Sequence, residues 1–199
     1  MTERHVPQRE LAATDAQLQS VTIGERRPHD GPVILADADP GWALTFEREA
    51  ARIRAALGDR VMRLEHTGST SVPGLAAKPI VDMTLAVVDS ADEPAYVPAL
   101  ERAGYVLRIR EPAWLEHRLF KGPEADVNLH VFSAGSVEIE RMVGFRDWLR
   151  SHADDRELYE RTKRELAART WRHVQHYADA KTAVVEEIIA RAGLPPRVD

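Results

Sequence analysis

Apolar positions along the chain follow two periods, and the change between them marks out the elements. Trp42, Phe46, Ala50, Ile53 and Leu57 recur at helical spacing behind Asp39-Pro40, and Gly58 supplies the stop. Upstream, Val33–Ala36 reads as a short strand, and downstream Val61–Thr67 and Pro79–Val88 are strands joined by a Gly/Ser/Thr/Pro-rich turn over 68–74. Asp92 is placed to cap a helix to about Arg102, closed by Gly104. Three more strands are expected at Tyr105–Ile109, Glu116–Phe120 and Asp126–Phe132. From Glu138 the period is helical again, with segments to about Arg150, from Asp154 to about Arg172 and from Tyr177 to Arg191. Strands gathered centrally with helices at both ends predict an α+β domain built on a mixed sheet, with a C-terminal helical segment. Residues 1–30 read as an N-terminal extension in which Thr14 caps a short helix through Leu18. The domain then covers 31–193, and 194–199 form a tail.

Composition narrows the class. The chain has 199 residues, 44% of them hydrophobic and 30% charged, enough apolar material for a real core. With no cysteine, disulfides, thiolate metal sites and a cysteine nucleophile are excluded. A net charge of −5 gives no reason to expect a nucleic-acid partner. No apolar run reaches the roughly 20 residues a membrane span needs, and MTERHVPQRE carries no hydrophobic segment of signal-peptide type. A cytoplasmic protein with no membrane partner is the expectation.

The chemistry concentrates in Leu64–Val88. A strand runs into Gly68, where the backbone can turn tightly and approach a ligand. Ser69, Thr70 and Ser71 follow with hydroxyls and N–H groups at the start of a helical turn, a device suited to phosphate oxygens, and Lys78 adds positive charge. Asp82 lies thirteen positions after Ser69 in a strand that is otherwise Ile80, Val81, Met83, Leu85 and Val87. A carboxylate there is costly to bury without a partner or a cleft. Period-two alternation puts Asp82 and Thr84 on one face, and it puts Asp126, Asn128 and His130 on one face of a second strand. Two such strands can offer ligands to a divalent cation; the plainer reading is a sheet with a solvated polar face.

The run EHTGSTSVPGLAAKPIVD closely resembles the signature of the GrpB (UPF0157) family of the nucleotidyltransferase superfamily. The likeness continues through DPGWALTFEREAARIRAALG, HRLFKGP, VNLHVF, FRDWLRSHADDRELYERTKRELA and YADAKTAVVEEIIARAG, about residues 31–193. The resemblance implies a nucleotidyltransferase-like mixed sheet flanked by helices, in which Gly68 and Ser69 hold the nucleotide phosphates and Asp82 is the first metal-binding carboxylate. In that superfamily two acids one residue apart and a third on a neighbouring strand hold divalent metal, and an acceptor oxygen attacks the α-phosphorus as pyrophosphate leaves. This chain departs from the pattern: Thr84 stands at the second acidic position, and the third falls among Asp126, Asn128 and His130.

The expected function is nucleotidyl transfer from ATP or a related nucleotide to a small-molecule acceptor, assisted by Mg²⁺ or Mn²⁺. Asp82, Asp126 and His130 are the candidate catalytic and metal residues. His66, Gly68, Ser69, Thr70, Ser71, Lys78 and Arg118 are the candidate nucleotide contacts. His66 either touches the ligand or fixes the turn. Lys121 reads more naturally as a solvated edge, and Tyr159/Lys163 and Tyr177/Lys181 as surface ladder pairs, the latter pair kept as secondary candidates because it matches a recurring family pattern. Alternatives are a non-catalytic nucleotide-binding or regulatory module, in keeping with the likeness to domains fused to dephospho-CoA kinase, and an adenylate-forming ligase.

Overall fold

A computed structural model describes residues 13–25, 29–123 and 126–198. Helix α1 (Asp15–Val21) is closed at its start by Thr14, whose hydroxyl accepts from the Gln17 N–H while the Gln17 side chain accepts from the Thr14 N–H. The expected strand at Val33–Ala36 is absent. Only β1 (Gly31–Pro32) forms a paired strand, Ala36 makes an isolated bridge to Ala77, and Ile34 is 76% exposed, so this segment lacks the two-sided burial that its apolar run suggested. Helix α2 (Gly41–Leu57) begins where the Asp39 carboxylate accepts from the Gly41 N–H at 2.7 Å. Next come β2 (Arg63–Thr67), β3 (Val81–Val87) and α3 (Glu93–Arg102). They are followed by β4 (Val106–Glu111), β5 (His117–Lys121), β6 (Val127–Ser133) and α4 (Val137–Ser151).

The C-terminal helices are shorter than their periodicity predicted. After α5 (Ala153–Ala167) the chain makes a two-residue strand, β7 (Thr170–Trp171), antiparallel to β1. The expected last helix is two, α6 (Val174–Ala180) and α7 (Thr182–Arg191), with Lys181 at the joint.

The main sheet has the order β2-β3-β6-β5-β4. The central β3–β6 pair is parallel and the others antiparallel. Register puts Asp82 opposite Thr67 and Asn128, and Thr84 opposite His130. One face is sealed by α2 and α3: Met83, Leu85, Leu129 and Val131 are fully buried there among Ile53, Leu57 and Leu100. The other face is covered by α4 only at the Ala86–Phe132 end, through Ile139 and Val143. Val72, Leu75, Leu149, Tyr159 and Ile188 form a separate core between the turn and the C-terminal helices. The Asp82 end of the sheet therefore opens into a cleft between two cores. Among the described residues no helix is long and apolar enough to cross a membrane.

Candidate functional site

The turn after β2 is built around one close approach. Gly68 has φ +67°, and a Cβ placed on it would lie 2.4 Å from Asp82 Oδ2, so both conformation and space demand glycine. Ser69–Ser71 continue as a short 3₁₀ turn whose leading N–H groups have no partner within the turn. From α4, Arg146 donates to the His66 carbonyl and Glu65 carboxylate, each at 2.8 Å, and Arg150 donates to the Ser71 carbonyl at 2.8 Å. These arginines hold the turn from behind and spend much of their donor capacity on it.

The turn and Asp82 share a cleft of about 560 Å³ that also reaches Asn128, His130 and the C-terminal helices. Lys121 Nζ donates to Asn128 Oδ1 at 2.6 Å, which orients the Asn128 amide so that its Nδ2 donates to Asp82 Oδ1 at 2.8 Å. Burial pushes the Asp82 carboxyl up, but His130, the Asn128 N–H and the Lys78 charge outweigh burial and hold it below the usual carboxylate range. Thr84 is buried and satisfied by Thr67 at 2.8 Å between hydroxyl oxygens, so no charge is carried at this position.

Charge in the cleft is one-sided. Among the described residues Lys78, Lys121, Arg146, Lys163 and Lys181 line it, against Asp82 alone among carboxylates. Lys163 is 1% exposed, donates to the Ala76 carbonyl and sits 4.8 Å from the Tyr159 ring centroid. Burial and the Lys181 charge push its ammonium down to about 7, and the same causes bring Lys78 down to about 8. Tyr177 presents its ring 4.7 Å from Lys181 Nζ and 5.9 Å from Lys78 Nζ, and its buried hydroxyl has no hydrogen-bond partner. Crowded, partly desolvated ammonium groups beside an unsatisfied hydroxyl suit an anion, which would relieve their repulsion.

Gly68, Ser69, Thr70, Lys78, Asp82 and His130 come together in the cleft as expected. The other candidates do not. His66 points to the opposite face, stacked on Phe46 with its Nε2 3.1 Å from Thr70 Oγ1, and so fixes the turn. Ser71 folds its hydroxyl back onto the Gly68 carbonyl at 2.6 Å. Arg118 lies on the face away from the cleft and donates to Glu93 at 2.6 Å, because Leu119 and Lys121 take the cleft-facing register. Asp126 is exposed ahead of β6, where its carbonyl accepts from the Val81 N–H, and Asn128 stands opposite Asp82 instead.

These placements bear on the expected metal. Among the described residues no group of three or more His, Asp or Glu is arranged to hold an ion. Asp82 is the cleft's one carboxylate among the described residues, and the Asn128 oxygen is turned to Lys121, so the donor set falls short of a two-metal centre. Conversely, Lys121 lines the cleft rather than a solvated edge, and Lys163 lines it rather than a surface ladder. Lys163 had a legible signal: it stands on the buried stripe of α5 with Tyr159, Leu166 and Ala167, where a lysine is rare unless it has a task.

The sequence pattern of the GrpB protein family matches residues 32–191. A UPF0157 protein of Halalkalibacterium halodurans is 60% identical over 90% of this chain and 92% of its own length. A UPF0157 protein of Streptomyces coelicolor is 49% identical over 82% of this chain and 86% of its own. The crystal structure of a conserved protein GrpB from Enterococcus faecalis superposes with a TM-score of 0.70 at 31% identity, covering 80% of this chain and 96% of that one.

Proposed function

The chain belongs to the GrpB family, and on that premise we propose that it binds a nucleotide such as ATP in the cleft, as a cytoplasmic protein of nucleotidyltransferase type. The observation that carries this reading is the cleft's charge: five cationic side chains and one carboxylate converge below a glycine-centred turn. The N–H groups of Ser69 and Thr70 take phosphate oxygens, and Lys78, Lys163 and Lys181 neutralise their charge. The Tyr177 hydroxyl donates to the bound anion, which satisfies its otherwise unmet hydrogen bond. Binding of this kind needs no second carboxylate, so the Thr84 replacement does not weaken it.

Titration calorimetry with ATP, with and without Mg²⁺ or Mn²⁺, tests the reading. Binding by the folded protein is expected, at least about tenfold weaker in Lys78→Met; no binding would end it. Asp82→Asn separates two roles of the carboxylate. If Asp82 only balances charge, the variant binds ATP without metal more tightly; if it holds a cation, metal-dependent binding is lost. A second reading, transfer of the nucleotidyl group to a small-molecule acceptor, is favoured by one observation: another chamber lies beside the cleft and shares His130 as part of its wall. Pyrophosphate release in the presence of an acceptor panel tests it, and a need for both an acid and an amine would indicate a ligase.

A further inference from the structure

Three neighbouring strands set one row of polar side chains along the cleft wall. Register places Asp82 on β3 opposite Asn128 on β6, and Asn128 opposite Lys121 on β5. All three line the cleft. The row is bonded end to end: Lys121 Nζ donates to Asn128 Oδ1 at 2.6 Å, and Asn128 Nδ2 donates to Asp82 Oδ1 at 2.8 Å. Only one orientation of the amide satisfies it. An ammonium only donates and a carboxylate only accepts, so Asn128 must turn its oxygen to Lys121 and its nitrogen to Asp82.

That bonding occupies the oxygens a divalent cation would need. Mg²⁺ and Mn²⁺ favour anionic and carbonyl oxygens, and here the Asn128 carbonyl already holds an ammonium. Asp82 Oδ1 accepts from the Asn128 amide, and its Oδ2 crowds Gly68, where a Cβ would come within 2.4 Å. Two residues along β3, Thr84 offers only a hydroxyl, committed to Thr67 at 2.8 Å. A metal ion on Asp82 would also share the cleft with five cationic side chains, which would repel it. Lys121 brings positive charge to the same row. An ammonium has three N–H groups, and among the described residues Lys121 makes one hydrogen bond, which leaves two donors for a ligand.

We propose that the Lys121 ammonium stands in for a divalent cation, and that the cleft takes its polyphosphate ligand free of metal. The proposal rests on the nucleotide reading for the ligand and adds the ionic form that is bound and the residue that selects it. Lys121 donates to phosphate oxygens from the Asp82 side of the cleft, while Lys78, Lys163 and Lys181 neutralise the remaining charge. Mg²⁺ chelated by the phosphates would occupy the oxygens these ammonium groups need and would add like charge to a cationic cleft. Asn128 is a positioning residue. Its amide aims the ammonium without cancelling its charge, as a carboxylate at that position would.

Calorimetry on the full chain tests this with ATP in EDTA and with ATP in excess Mg²⁺, at matched ionic strength. Affinity is expected to be at least about tenfold higher in EDTA, because chelation depletes the form that binds. Sodium tripolyphosphate should show the same preference, since the phosphates and not the base set it. Lys121→Met should weaken binding in EDTA about tenfold and shrink the difference between the two conditions to less than about threefold. Lys121→Arg keeps the charge and should preserve both. Equal or tighter binding in Mg²⁺, or a preference for EDTA that survives Lys121→Met, would overturn the proposal. So would Mn²⁺ uptake by the wild-type protein, read by electron paramagnetic resonance, that Asp82→Asn abolishes. Binding of ATP only with Mg²⁺ would sink this inference and leave the nucleotide reading standing. Metal-free binding of tripolyphosphate but not of ATP would do the opposite.

Discussion

Strands β3 and β6 have two faces made of the same backbone. On one, Met83, Leu85, Leu129 and Val131 are entirely buried against α2 and α3. On the other, Asp82, Asn128 and His130 stay partly open to a cleft whose charges are mostly of one sign. The first face removes apolar surface from water and pays for the fold. The second gathers ammonium groups whose burial and mutual repulsion work against the fold, as the lowered Lys78 and Lys163 values record. Stability and binding are thus carried on opposite sides of one sheet, and substitutions on the two sides should differ in sign.

The largest effect is expected on the sealed face. Leu129→Ala leaves a cavity at a fully buried position and should cost about 2–5 kcal/mol in chemical denaturation, with ATP affinity of the folded fraction unchanged. Loss of affinity in step with stability would erase the distinction between faces. Lys163→Met should do the reverse. Removing a buried cation is expected to leave stability unchanged or raise it by up to about 2 kcal/mol, while ATP binding weakens about tenfold. A Lys163→Met protein as unstable as a core truncation would break the comparison.

Acidity sharpens it further. An anion favours charged lysines, so ATP affinity should be full below about pH 7 and decline as Lys163, near 7, and then Lys78, near 8, lose their protons. Calorimetry between about pH 6 and about pH 9 reads this, and a flat profile would remove those lysines from the site. His66 and His117 are bases pushed down to about 4 by burial, so the unfolded chain binds protons first. Their contribution to stability is complete above about pH 6.5 and is lost as the pH falls toward about 4. The smallest effect is expected at Arg118. It faces away from the cleft onto Glu93, so Arg118→Gln should change ATP affinity by less than about twofold. A larger loss would mean that the two faces communicate.

Much of the site's framework was legible before any coordinates. Alternation alone put Asp82 and Thr84 on one side and Val81, Met83 and Leu85 on the other, and register confirms that division. The Gly68 turn was legible because few residues other than glycine tolerate its backbone, although its second reason, the Asp82 carboxylate at its Cβ position, needs the strands paired. Misplaced residues have a common cause. Arg118 and Lys121 are three apart on one strand and necessarily face opposite ways, and only the pairing of Leu119 with His130 decides which one enters the cleft. Lys163 read as a surface ladder partner because four-residue spacing is the same on a solvated stripe and on a buried one. The last helix read as continuous because the break at Lys181 has no glycine or proline to announce it.

The sequence by itself determined the α+β class, the family, the central strands, the glycine turn and the single acid beyond it, because period, turn chemistry and desolvation cost are local properties. The tertiary structure alone decided that lysines from four separate segments line one cleft with that acid, and that Asn128 rather than Asp126 stands opposite it. Each of those facts depends on strand register and on how helices close over a sheet, and both are set by the packing of distant residues rather than by any stretch of chain.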